Sequence, residues 1–102
     1  MKALAFSPAA QADLDEIWDY SADNWGPDQA DLYTDRLRDA CQALAAGLKR
    51  ARTVDVRPGY LKLPAGSHVI YFRDSGDQLE IIRILHGKQD TERHLAGMPR
   101  LP

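Results

Sequence analysis

Basic and imidazole side chains are concentrated in the carboxyl half of this sequence, where they follow turns and strands. Arg57 comes just before a Pro-Gly turn, and His68 opens a long apolar run. Arg83 and His86 lie on the next apolar run. A guanidinium binds a carboxylate or a phosphate, and an imidazole carries a proton near neutral pH. These residues could therefore bind an anionic partner or support acid–base chemistry at a phosphate.

Arg83 is the main candidate, because it lies in the middle of a predicted strand between apolar neighbours. A charged side chain in a strand interior is costly to bury unless it is paired. Two roles meet this requirement: contact with a partner's carboxylate or phosphate, or an internal salt bridge. The first is favoured and the second stays open. His86 is equally compatible with a proton carrier and with an ordinary loop histidine.

Metal ligation and secretion are not indicated by the sequence. His68, His86 and His94 share no ligand spacing, and the single Cys41 falls on a predicted helix face, so we expect no metal and no cofactor. One cysteine cannot form an internal disulfide, which suits a reducing compartment. The opening apolar segment is too short for a signal peptide, and no run approaches the roughly 20 apolar residues of a membrane span. We expect a cytoplasmic protein without membrane contact.

Two helices are predicted in the first half of the chain, after a short strand at residues 3–6. Ser7 and Pro8 are typical of a helix start, and Gly26-Pro27 separates the two helical patterns. Each pattern has one apolar stripe. The stripes are Ala10, Leu14, Ile17, Trp18, Ser21 and Trp25, then Tyr33, Leu37, Ala40, Cys41, Leu44 and Leu48. The tight turn predicts an antiparallel helical hairpin, with both tryptophans in the core.

After Arg52 the apolar period changes from helical to alternating. Val54 and Val56 predict a short strand, and residues 60–63, 68–73 and 79–85 predict three more. Residues 68–73 are apolar on both faces, as in a central strand. The expected fold is a single α+β domain spanning residues 1–102. It has an N-terminal strand and an antiparallel helical hairpin packed on a twisted antiparallel β-meander, with one or two helical turns at residues 90–95.

The last predicted strand has more apolar residues than a sheet covered on one side requires. Ile82 and Ile84 would share one face. Ile81, Arg83 and Leu85 would share the other, leaving two apolar side chains uncovered. An uncovered apolar groove suits an extended or amphipathic segment of a partner. The residues predicted to line or edge this groove are Trp18, Tyr71, Ile81 and Leu85.

The net charge of −2 conceals an asymmetry between the two halves. Residues 1–48 have three basic and nine acidic side chains, whereas residues 49–102 have ten basic and six acidic ones. The basic half could attract phosphate or an acidic protein segment, and the acidic half would repel nucleic acid. Two solvated faces of opposite sign remain the alternative. A pI near 5.8 argues against a free nucleic-acid binder.

Several short strings, in their order, resemble the ParE toxins of type II toxin–antitoxin modules, a branch of the RelE/ParE superfamily. They are Ser7-Pro8-Ala9-Ala10, Asp13-Leu14, Ile17-Trp18-Asp19-Tyr20, Trp25-Gly26, Arg57-Pro58-Gly59-Tyr60, Gly66-Ser67-His68, Arg83-Ile84-Leu85-His86, and Asp90 with Arg93-His94-Leu95. The resemblance covers nearly the whole chain and implies the fold given above. It also implies a ParD-like antitoxin whose carboxyl-terminal segment wraps the toxin. Operator DNA would then be contacted only through the toxin–antitoxin complex.

Two activities are found in the superfamily that the chain resembles. ParE-like members inhibit DNA gyrase by stabilising its cleaved-DNA complex, which is binding and not catalysis. RelE-like members cut messenger RNA in the ribosome with clustered Lys and Arg and a tyrosine or similar residue near the carboxyl end. This sequence has a thin basic cluster and no tyrosine after Tyr71, so we favour gyrase inhibition without enzyme activity. An inactive toxin that only helps its antitoxin hold operator DNA is the third alternative.

The residues predicted to contact the target or a partner are basic, imidazole or phenolic side chains of the carboxyl half. They are Arg57, Tyr60, Arg83, His86, Lys88, Arg93 and His94. Lys88, Arg93 and His94 form the predicted variable surface of the tail, with solvated charge as the alternative. No catalytic residue is assigned.

Overall fold

The computed structural model describes residues 2–49, 52–53 and 58–88. Its elements, in chain order, are β1 (Ala3–Phe6), α1 (Pro8–Trp25), α2 (Pro27–Ala45), β2 (Arg52–Thr53), β3 (Leu61–Ala65), β4 (His68–Asp74) and β5 (Gln78–His86). The strands form one sheet in the order β1-β5-β4-β3-β2. The pairs β2–β3, β3–β4 and β4–β5 are antiparallel, so the predicted meander is confirmed. β1 joins it in parallel beside β5.

Both helices begin at the residues that the sequence indicates, and α1 also ends there. Ser7 caps α1 through its Oγ, which accepts from the Ala10 backbone N–H at 3.0 Å and donates to the Ile82 carbonyl at 2.7 Å. This second bond ties the start of α1 to β5. Gly26, at φ +92°, separates α1 from α2, and Pro27 opens α2 because its missing N–H is not needed there.

The helical hairpin packs on one face of the sheet, and the main core lies between them. Buried members from the helices include Leu14, Leu37 and Cys41, and those from the sheet include Ile70 and Phe72. A second cluster contains residues that alternate with the first along β4 and therefore lie on the other face. It consists of Tyr60, Tyr71 and Leu85, with Val69 and Ile82 packed against them.

A β-bulge in β5 reverses part of the predicted face assignment. Tyr71 pairs with Arg83 but the next residue, Phe72, pairs with Ile81, so Ile82 is the extra residue. A one-residue insertion shifts the alternation of inward and outward side chains. Ile81 and Ile84 therefore both lie in the main core, whereas Ile82 packs with Leu85 in the second cluster. The prediction that Ile81 and Leu85 share one uncovered face was wrong.

Two predicted elements fall outside the described residues: the strand through Val54 and Val56 and the helical turns at 90–95. Leu48 was expected to continue the apolar stripe of α2, but it is 79% exposed because the helix ends at Ala45. No helix in the described part of the chain is long and apolar enough to cross a membrane.

Candidate partner-binding groove

A groove of about 940 Å³ runs between the helical hairpin and the end of the sheet where β4 begins and β5 ends. Its lining comes from α1, from the first turns of α2 and from these two strands. The lining residues are Asp13, Glu16, Ile17, Tyr20, Ser21, Trp25, Gln29, Tyr33, Ser67, His68, Arg83, Ile84, Leu85 and His86. Polar groups line the sheet end, and exposed aromatic rings line the far end of α1.

An ion pair between Asp13 and Arg83 joins α1 to β5 at the groove. Arg83 donates from Nε to Asp13 Oδ2 at 2.8 Å and from Nη2 to Oδ1 at 2.9 Å. The Ile84 backbone N–H donates to the same Oδ2 at 2.9 Å. These hydrogen bonds raise the pKa of Arg83, although its partial burial opposes the change. The carboxylate is almost completely buried, and its charge is matched in a bidentate geometry.

This geometry settles which of the two open roles Arg83 has in the isolated chain: it forms the internal salt bridge. Its side chain is still 25% exposed and lines the groove. Contact between its outer edge and a partner therefore stays a prediction. Asp13 is only 7% exposed, whereas the other acidic residues of α1 are exposed.

A hydrogen-bonded chain of Tyr33 and His68 forms the rim at the sheet end. Tyr33 Oη lies 2.6 Å from His68 Nδ1 and accepts from the Ser67 backbone N–H at 3.1 Å. The direction of the bond to Nδ1 depends on the imidazole tautomer: the phenol donates its proton to Nδ1 when His68 is neutral and protonated on Nε2. Gly66, at φ +59°, permits this approach, because a Cβ there would lie 2.8 Å from Tyr33 Oη.

His68 and His86 are cross-strand neighbours whose rings meet edge to face, with centroids 5.4 Å apart. Burial lowers the pKa of His68, the nearby His86 lowers it further, and Asp13 acts in the opposite direction. The Lys88 backbone N–H donates to His86 Nδ1 at 3.1 Å. The pair therefore combines one largely neutral imidazole with an exposed one beside Arg83.

Tyr20 and Trp25 form the opposite, aromatic end of the groove. Their side chains are 63% and 64% exposed, and their rings pack edge to face at 6.0 Å between centroids. The prediction of Trp25 as a core residue was wrong, because the core-facing stripe of α1 ends at Ser21. Glu16 lies one helical turn before Tyr20 and is exposed. It forms no direct salt bridge within the described residues, but its charge helps to raise the pKa of Arg83.

Of the four residues predicted to line an apolar groove, only Leu85 does so. Trp18 lies between the helices, where its Nε1–H donates to Asp31 Oδ1 at 2.8 Å. Tyr71 is 2% exposed in the second cluster, and Ile81 is fully buried in the main core. The observed groove therefore differs from the predicted one, and α1 contributes Ile17, Tyr20 and Trp25 to its apolar lining. Tyr20 and Tyr33 were not predicted to line it, because spacing alone does not distinguish either from a packing aromatic.

The residues predicted to contact the target are divided by the structure. Arg83 and His86 line the groove, whereas Lys88 is exposed outside it. Tyr60 is 1% exposed in the second cluster, so its ring is not available as a contact surface in this state. Arg57, Arg93 and His94 lie outside the described residues.

Comparison with known proteins identifies the family. The family model described as the ParE toxin of type II toxin–antitoxin systems, parDE, matches residues 4–91 of this chain. The chain belongs to the ParE toxin family. It is 46% identical over 91 residues to a Toxin ParE1 of Mycobacterium tuberculosis, covering 87% of this chain and 93% of the relative. It is 38% identical over 96 residues to a Toxin ParE1 of Caulobacter vibrioides, covering 93% and 99%.

Solved structures agree with this assignment. A chain from a structure titled as the chromosomal ParDE toxin–antitoxin system of P. aeruginosa is similar with a TM-score of 0.75 and 27% identity, covering 84% of this chain and 96% of that one. A chain of the RelBE2 toxin–antitoxin complex of Mycobacterium tuberculosis has a TM-score of 0.51 at 17% identity, covering 83% and 96%. The second likeness concerns the fold alone. This ParE chain is thus a toxin of a type II module.

Proposed function

We propose that this ParE toxin inhibits DNA gyrase by binding it and trapping its cleaved-DNA complex, without chemistry of its own. The observation that carries the non-enzymatic part is the Asp13–Arg83 pair. Cleavage of RNA needs cations free to stabilise charge on phosphorus. Among the described residues, Arg83 is the only Lys or Arg that lines the groove, and its charge is already matched by a carboxylate.

We also propose that a ParD-like antitoxin neutralises the toxin by laying a segment in the groove. The groove is long, contains apolar surface, and has two large exposed aromatic side chains at one end. Exposed apolar surface of this kind is typical of a partner site. The likeness to a ParDE system supports the class of partner. Operator DNA would be contacted through the antitoxin, since the helical half is acidic.

One observation favours the second candidate, a RelE-like ribosome-dependent endoribonuclease. His68 and His86 lie side by side in the groove with Arg83 and with the Tyr33 phenol. Two imidazoles can serve as general base and general acid in phosphoryl transfer. Against it stand the matched charge of Arg83 and the low pI of 5.8, which is unfavourable in the polyanionic interior of a ribosome.

The decisive experiment measures both activities with one preparation of folded toxin. Gyrase supercoiling and gyrase-dependent DNA cleavage are assayed beside cleavage of ribosome-bound messenger RNA, with and without prior addition of the antitoxin. We expect loss of supercoiling, accumulation of cleaved DNA and intact messenger RNA, all reversed by antitoxin. Cut codons with normal gyrase, lost in a His68→Gln/His86→Gln variant, would establish the endoribonuclease instead. If folded toxin shows neither activity, the result would favour an inactive toxin that only helps its antitoxin hold operator DNA.

A further inference from the structure

We infer that the antitoxin segment in the groove presents a basic side chain, preferably arginine, between the Glu16 carboxylate and the Tyr20–Trp25 pair. This inference rests on the proposed occupation of the groove by an antitoxin. It specifies which chemical group of the antitoxin segment contacts α1.

The charges of the groove favour a cation. Apart from the two imidazoles, its lining contains two carboxylates, Asp13 and Glu16, and one guanidinium, Arg83. Asp13 and Arg83 satisfy each other through two hydrogen bonds. Glu16 is exposed and forms no direct salt bridge among the described residues, although its charge contributes to the raised pKa of Arg83. A partner that brought a carboxylate to this wall of the groove would meet repulsion from Glu16 and desolvation of both charges.

The aromatic pair favours the same occupant. Tyr20 is one helical turn beyond Glu16, so that the two side chains are neighbours on the helix surface. The edge-to-face contact with Trp25 uses one ring edge and one ring face, and leaves both side chains more than 60% exposed. A cation over such a face is attracted by the ring quadrupole. A guanidinium can also stack on the ring and bind a carboxylate bidentately, which an ammonium cannot.

The wider surface of the helices reinforces this preference. Residues 1–48 contain nine acidic and three basic side chains. The exposed acids of α1 and of the start of α2 therefore produce a negative potential around the aromatic end of the groove. Such a potential speeds the approach of a basic segment and slows that of an acidic one. Lower affinity at higher salt is the expected consequence.

The test measures the affinity of folded toxin variants for the full-length antitoxin of the same operon by calorimetry. We expect Glu16→Gln to raise Kd about tenfold, and Asp15→Asn, which makes the same charge change at an exposed site outside the groove, to raise it less than about twofold. Trp25→Leu keeps apolar bulk but removes the ring face, and should raise Kd about three- to tenfold. None of these three side chains is buried, so the fold is retained.

The second half of the test identifies the partner residue. Each Arg and Lys of the antitoxin's toxin-binding segment is replaced by Gln, alone and together with Glu16→Gln of the toxin. One replacement should show coupling of about fivefold with Glu16→Gln, and Arg→Lys at that position should recover only part of the affinity. If no basic residue couples, or an acidic residue couples instead, the inference is overturned.

Failure of the inference can be told apart from failure of the proposed groove. Trp25→Ala removes most of the contact area at the aromatic end. If it weakens antitoxin binding while no basic residue couples to Glu16, the antitoxin occupies the groove but without the basic contact. If Trp25→Ala, Glu16→Gln and Tyr20→Ala all leave Kd unchanged, the antitoxin binds elsewhere, and both statements fall.

Discussion

Replacement of Arg83 by methionine should destabilise the toxin substantially, because it strips a buried carboxylate of its counterion. Methionine retains most of the aliphatic volume and removes the guanidinium. Asp13, which is 7% exposed, would then keep, among the described residues, only the Ile84 backbone N–H as a hydrogen-bond donor. The variant therefore isolates the electrostatic contribution of the pair from that of packing.

The magnitude follows from the geometry of the pair. Breaking a fully buried ion pair by removing one partner costs about 3–5 kcal/mol, and each hydrogen bond to a charged group contributes about 1.5–3 kcal/mol. Arg83 is 25% exposed, so water can enter beside the unpaired carboxylate and reduce the penalty. We expect a loss of about 2–3 kcal/mol in the free energy of unfolding. Asp13→Asn in the Arg83→Met background should restore part of it, because the uncompensated charge is removed.

Arg73→Met is the matched control. Arg73 lies on the neighbouring strand, where its Nε is 3.3 Å from Glu80 Oε1 and both side chains are more than a third exposed. An exposed pair of this kind contributes less than about 1 kcal/mol. The free energy of unfolding of both variants is measured by urea denaturation, and an unchanged m-value shows that only stability has changed. If Arg83→Met and Arg73→Met lower the free energy of unfolding equally and by a small amount, burial of Asp13 does not strengthen its ion pair with Arg83, and the reasoning is refuted.

Three further results are expected. Gly66→Ala should lower the free energy of unfolding by more than Gly76→Ala does, because a Cβ at position 66 meets Tyr33 and a Cβ at position 76 meets nothing. Gly76→Ala costs about 1–2 kcal/mol from its positive φ alone. Burial and a neighbouring imidazole lower the pKa of His68 from its ordinary 6.5, so protonation of His68 favours the unfolded chain. The free energy of unfolding of the wild type, measured as a function of pH, should therefore fall as the pH drops below 6.5 through the pKa of the folded state. His68→Gln should remove this dependence. Burial raises the pKa of the Cys41 thiol to about 12, so iodoacetamide should label it near neutral pH only after unfolding.

Each of these results has a contradicting outcome. Equal losses for Gly66→Ala and Gly76→Ala would mean that Tyr33 moves aside at no cost, and adding Tyr33→Phe tests this directly. An unchanged pH profile in His68→Gln would assign the pH dependence to other groups. Rapid labelling of folded protein at Cys41 would show that α2 opens frequently.

The secondary structure was largely predictable because local signals agreed with the final packing. Ser7, Pro8 and the Gly26-Pro27 turn mark helix ends through backbone chemistry that does not depend on distant residues. Alternation predicted β3, and the apolar run at residues 68–73 predicted β4 and placed it inside the sheet. The family strings are spread over nearly the whole chain, so the superfamily was also recognisable without coordinates.

The faces of β5 were not predictable from its sequence. A strict alternation places Ile81 with Leu85, and only the pairing of β5 with β4 reveals that Ile82 is an extra residue. The lining of the groove was not predictable either. Its apolar wall includes Trp25 of α1, which the helical period had assigned to the core.

The elements and their order could be read from the sequence because they depend on interactions between near neighbours in the chain, and the apolar residues of the last strand are visible there directly. The salt bridge of Arg83 became visible only in the folded chain. Its carboxylate partner, Asp13, is 70 residues away, and neither residue carries a local sign of the other. Arg83 is paired within the fold while its outer edge still lines the groove, and Glu16 is the groove's exposed carboxylate.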